Sequence, residues 1–270
     1  MSAVTQSFLR SVLVLTWSFV AVSSFVIAAE VDPVARRKAV EAFYMLEAKP
    51  WDRASMQRAV ERLRDAQASS QQDPWVLISI AKAIMSDDVP AHFPEALKYT
   101  KDAVRRGPRE PLAHAYHGWV LYNMGKHQEA WRSYQQAIRL DPKEPLPYLY
   151  IARAFADTRD ARQLEKWLSD GKSRKNTNDI DGRIFELERQ LANLRKDGTA
   201  VERSFRDQIA KQADNPWVRS NYASFLMHNR RYDEAIPYFE AALRLMDYPA
   251  ARDGLSKARA LLANQQAATR

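Results

Sequence analysis

The sequence predicts an all-α protein built as a stack of antiparallel helix pairs, and three observations carry that prediction. Ala, Leu and Arg are abundant, while the 270 residues hold only 7 glycines and almost no Val-Ile-Thr alternation; this balance favours helix over sheet. Residue types recur at a step of 34: Pro108 and Pro142, Pro111 and Pro145, then Ala96, Ala130 and Leu164, then Ala103, Ala137 and Gly171. Proline punctuates the periodic segments where helices must start and stop. The chain is long for a single hydrophobic core and suits an array in which each unit packs on its neighbours.

The first residues read differently. Residues 1–10 carry one charge, Arg10, and Ser11 to Ala29 carry none before Glu30, Asp32 and Pro33. A basic start, an apolar stretch and small residues at its end describe a secretory signal peptide cut after Ala28 or Ala29. If retained, the nineteen uncharged residues would nearly span the hydrocarbon core of a bilayer as a signal anchor. Either reading of 1–29 places the rest outside the cytoplasm: periplasmic or secreted, or anchored at the inner membrane. The net charge of +8 suits acidic partners or anionic lipid, but acids are interspersed and export argues against nucleic acid. The absence of cysteine excludes disulfides, thiolate metal sites and Cys nucleophiles.

The unit from Pro111 to Lys143 shows the physical logic of the repeat. His114, Gly118 and Leu121 share one face of a first helix, and Gly118 is small where a neighbour must approach closely. Gly125 permits a left-handed cap that ends this helix. A second helix runs from about His127 to Leu140 with Ala130, Tyr134 and Ala137 as its inner stripe. Asp141-Pro142 stops it, since the residue before proline avoids helical dihedrals. Upstream, Ala59 precedes Ala96, and Ala66 precedes Ala103, by 37; the extra three residues fit the loop with Pro90 and Pro94.

Gly118, Gly125, Ala130, Tyr134, Ala137 and Pro142 together resemble the tetratricopeptide repeat (TPR). The resemblance implies a right-handed α-solenoid with a C-terminal capping helix. It divides the chain after 1–29 into a degenerate helix pair at 30–73 around Phe43, Leu46, Ala59 and Leu63, and three units over 74–178. A second degenerate pair follows at 179–215 around Ile184, Leu187, Phe205 and Ile209, then one unit at 216–249, and a capping helix and tail at 250–270. The polar stretch 171–182 is a place where the stack bends or splits.

No catalytic constellation emerges. Among the motif classes with a stated mechanism, neither a Gly-rich phosphate loop nor HExxH nor GxSxG is present. His114 and His117 have the i, i+3 spacing of metal ligands, but their repeat positions predict packing or hydrogen bonding instead. No enzyme activity, cofactor, metal or small-molecule substrate is expected.

The resemblance further implies that first-helix residues line an inner groove that holds a protein segment. In this sequence those positions are Leu112, Tyr116, Trp119, Tyr122 and Asn123, then Leu149, Tyr150 and Arg153, with Asp157 beyond. Aromatic residues and Arg are enriched at binding hot spots. Family members that clamp a C-terminal carboxylate use several basic and amide groups; here the equivalent positions are Ile78, Lys82, Tyr116, Leu146 and Tyr150, of which only Lys82 is basic. An apolar extended or helical segment fits better than such a tail. The expectation is a non-catalytic protein-binding scaffold of the cell envelope, with a tethered adaptor as the alternative.

Overall fold

Four first helices open on the same chemical signal. Asp73-Pro74, Glu110-Pro111, Glu144-Pro145 and Asn215-Pro216 set an acceptor side chain in front of a proline, and proline in the first turn forfeits no hydrogen bond that a helix start could have made. Asp73 Oδ1 accepts the Trp75 N–H at 2.8 Å, Glu144 Oε1 that of Leu146 at 3.1 Å, and Asn215 Oδ1 that of Trp217 at 3.0 Å. Such caps satisfy donors that the helix itself leaves orphaned.

The computed structural model describes residues 32–48, 53–86, 90–175, 177 and 179–268. The segment read above as a signal peptide or anchor lies outside them. Among the described residues there are thirteen α-helices and no strand: α1 Pro33–Ala48, α2 Arg53–Ser69, α3 Pro74–Met85, α4 Phe93–Arg106, α5 Pro111–Asn123, α6 His127–Leu140, α7 Leu146–Asp157, α8 Ala161–Ser173, α9 Asp181–Leu194, α10 Gly198–Lys211, α11 Pro216–His228, α12 Tyr232–Leu245 and α13 Pro249–Ala268. They form two compact units, divided between Ile180 and Asp181. Pro94 does not break the chain ahead of α4; it sits in that helix's first turn, behind a short 3₁₀ turn at Pro90–His92.

In the first unit, α1–α2, α3–α4, α5–α6 and α7–α8 pack as antiparallel pairs. Successive first helices (α1, α3, α5, α7) also pack on one another, while the backbones of α2, α4, α6 and α8 stand apart. The first helices therefore form an inner layer and the second helices an outer one. Gly118 makes one pair possible: a Cβ there would lie 2.7 Å from the Tyr134 ring. Polar links tie inner helices together: a buried one, Lys82 of α3 bonded to Glu47 of α1 at 2.7 Å, and a partly buried one, Arg36 to Asp73 at 3.2 Å.

The turns inside the pairs keep one register. Gly125 has φ +75°, and Arg159, Lys196 and Arg230 have φ 59°, 56° and 60°. In each, the following residue donates back to the helix: Lys126 to Leu121, Asp160 to Phe155, Asp197 to Ala192 and Arg231 to Leu226. This is the Schellman-type ending that a left-handed residue allows.

The second unit packs α9 on α10, α10 on α11, α11 on α12 and α12 on α13. Tyr222, Leu226, Ala235, Phe239 and Ala242 are buried at its centre. The final helix contributes Ala251 and Ala258, with Leu255 only partly covered. Gly254 lets it come close, since a Cβ there would meet Phe239 at 2.5 Å.

Candidate functional site

The inner layer of the first unit carries a run of aromatic rings. Phe43 meets Tyr116 edge to face at 5.7 Å, and Tyr116 meets Tyr150 at 6.4 Å. Tyr150 then stacks on Trp119, with centroids 5.0 Å apart and planes 21° apart. Trp119 stacks on Tyr122 at 6.2 Å and 16°. The spacing of Trp119 and Tyr122 along α5 places them on one face, and Tyr150 of α7 approaches that face because α5 and α7 are neighbours in the same layer.

A polar group closes the end of this stack. The Tyr122 hydroxyl donates to Asp157 Oδ2 at 2.9 Å, and Arg153 Nε donates to Asp157 Oδ1 at 3.0 Å. Asp157 thus joins α5 to α7 and orients both partners. Burial, and then the adjacent Asp157 carboxylate, push the Tyr122 phenol up to about 12, so it remains a donor at neutral pH. Asn123 Nδ2 donates to the Trp119 carbonyl at 2.8 Å, and His127 packs on Tyr122 at 5.0 Å.

The eight predicted groove residues separate into two sets. Trp119, Tyr122, Asn123 and Arg153 are half-buried and lie together. Leu112, Tyr116, Leu149 and Tyr150 are 4%, 1%, 0% and 0% exposed; they are core, not groove surface. The close packing of α5 against both α3 and α7 encloses positions that a single helix pair would leave open. Tyr150 serves the face from behind, as the ring on which Trp119 rests.

His114 and His117 point to separate partners. His114 Nε2 lies 2.9 Å from the Pro108 carbonyl, and His117 Nδ1 lies 3.0 Å from Thr100 Oγ1. Burial lowers His117 to about 4, which keeps it neutral. His114 is not in the buried stripe with Gly118 and Leu121; it is half-exposed and bonds the preceding loop. No group of three or more His, Asp or Glu residues among the described residues could hold a metal ion.

The tetratricopeptide-repeat family matches residues 91–145, which span α4, α5 and α6, and again residues 218–245 in α11 and α12. The chain is a tetratricopeptide-repeat protein. Solved structures agree on the fold of this TPR chain. It is similar to yeast Tom70, with 16% identity over 89% of this chain and 52% of that one, at a TM-score of 0.57; it thus spans about half the Tom70 structure. It is also similar to PilF of Pseudomonas aeruginosa, with 15% identity over 76% of this chain and 92% of that one, at 0.54. A thermophilic TPR protein in Thermus thermophilus gives 16% identity, 70% and 99% coverage, and 0.54. At such identities the likeness concerns the fold alone. No curated protein shows significant sequence similarity to the chain. TPR proteins are in general non-catalytic repeat scaffolds, and the repeats here support a protein–protein interaction scaffold.

Proposed function

We propose that this TPR protein is a cell-envelope scaffold that holds an extended or helical segment of a partner along the inner layer of its first unit. The observation that carries this reading is the half-exposed stack of Trp119 and Tyr122 on Tyr150, finished by the Tyr122–Asp157–Arg153 group. Two aromatic faces give apolar area, and Arg153 and Asn123 offer donors beside it; this combination marks hot spots at protein interfaces. The rings are already ordered, so little side-chain freedom is lost when a partner binds.

Co-purification from the native host tests the reading, comparing the wild-type chain with Trp119→Ala/Arg153→Ala. Both side chains are partly exposed, so helical circular dichroism should be retained. A specific partner is expected to be lost, with affinity falling about tenfold or more. An unchanged partner set would sink the inner-layer reading. Export is supported by the uncharged stretch 11–29 and its Ala-Ala end. Mass spectrometry of the mature protein should find an N-terminus at Ala29 or Glu30; Met1 or Ser2 would favour the tethered adaptor instead.

A further inference from the structure

The two helix layers of the first unit differ in charge. In the outer layer, α4 carries four Lys or Arg against two Asp or Glu, α6 two against one, and α8 three against two. Every one of those basic residues is exposed; the acids are fewer, and of them Asp102 pairs with Arg105 at 2.9 Å. The inner helices α3, α5 and α7 carry only Lys82, Arg153 and Asp157, and the acids Asp73, Glu110 and Glu144 stand at their starts. The positive excess therefore lies on the outer layer.

The same layer exposes indole. Trp131 of α6 is 38% exposed, and its ring meets that of Trp167 of α8 edge to face at 5.9 Å. Trp167 is half-buried and rests at 6.0 Å from Tyr148. Lys166 Nζ lies 5.5 Å from the Trp167 ring centre, and the Arg174 guanidinium lies 4.3 Å over Tyr148. The two indoles span the space left where the backbones of α6 and α8 stand apart. Packing explains why the rings touch each other; it does not explain why a large apolar ring is left in water among cations.

Indole beside Lys and Arg is the chemistry of the bilayer interface. Trp settles at the headgroup level, and basic side chains meet lipid phosphate. We infer that the outer layer of the first unit, centred on Trp131 and Trp167, docks on an anionic bilayer surface. Among the described residues no helix is long and apolar enough to cross a membrane; the proposed contact is made by the surface of packed helices. An anionic bilayer answers to the cations and the indoles together and accords with the uncharged sequence 11–29; an acidic protein is the competing outcome that the test separates. This surface is independent of the inner-layer reading above.

Flotation of the full chain with vesicles of phosphatidylcholine, alone or mixed with phosphatidylglycerol, tests the inference. Arg132→Glu/Lys166→Glu should cut partitioning onto the mixed vesicles by about tenfold or more, and Trp131→Ser should cut it severalfold. Neither should alter partitioning onto phosphatidylcholine alone. Lys98→Glu/Lys101→Glu, on the same layer, supplies a second charge variant should the first fail to fold. Equal partitioning of the folded charge variants and the wild type onto mixed vesicles would overturn the inference. So would equal wild-type binding to both vesicle types, or charge-dependent binding to polyglutamate with none to vesicles.

Discussion

Arg159, Lys196 and Arg230 occupy left-handed turns that only Gly125 fills with the residue such turns favour. For a residue with a Cβ that conformation costs about 1 kcal/mol. Arg230→Gly should therefore stabilise the second unit by about 0.5–1 kcal/mol in urea denaturation; a loss of stability would show that the Arg230 side chain does more than tolerate the turn. The spacing was hidden in the sequence because basic side chains at three of these four positions give no turn signal. Glu144 makes a pH-dependent case. Burial raises its carboxyl to about 7, with Asp141 and Glu110 adding to the shift, while the Leu146 N–H opposes it. A carboxyl whose folded pKa lies above its unfolded value favours the folded state at low pH. Stability is then lost as pH rises from about 4.5 to about 7. Glu144→Gln should leave stability at pH 4 nearly unchanged and raise it at pH 8 by about 1–3 kcal/mol. A gain of equal size at both pH values would contradict the assignment.

At the scale of elements, the helix pairs were the most legible feature, because alanine and proline recur where helices approach and end. The division of the inner helices into surface and core was not legible. Helix α5 buries Leu112, Ala113, Ala115, Tyr116, Gly118, Val120 and Leu121, so it is apolar nearly all round. A 3.6-residue period distinguishes faces only when one of them is polar. Tyr116 and Trp119, one turn apart, therefore looked alike although one is core and the other is half-exposed. The Trp131–Trp167 contact was missed for a related reason: Trp131 directly follows the inner-stripe Ala130 and has no mark of its own. His127 gave no signal either, since its contact with Tyr122 forms across the Gly125 turn. The closing helix makes an element-scale prediction. Ala251 and Ala258 cover the second unit's core near Phe239, and removal of residues 249–270 would expose that apolar surface. The truncated chain should lose about 2–4 kcal/mol in that unit and bind a hydrophobic dye. An unchanged melting transition would mean that α13 is not the cap.

Across the whole molecule, repetition made the fold class readable from the chain alone, since each unit copies the packing of the last. The division at Ile180 falls inside the polar 171–182 stretch, where the sequence offered a bend or a split without choosing. Function is less legible because a TPR scaffold is defined by its partner; on the proposed reading, the partner's chemistry is present here only as its complement: aromatic faces, Asn123 and Arg153. Two readings at this scale divide the first unit by layer, with a protein segment held on the inner helices and lipid met by the outer ones. The most direct test of the central claim is site-specific photo-crosslinking in the native host, with a benzophenone amino acid at Tyr122 in one chain and at the exposed outer-layer Gln135 in another. The account predicts a discrete protein adduct from position 122 that is absent from position 135. Adducts of the same protein from both positions, or from position 135 alone, would contradict it.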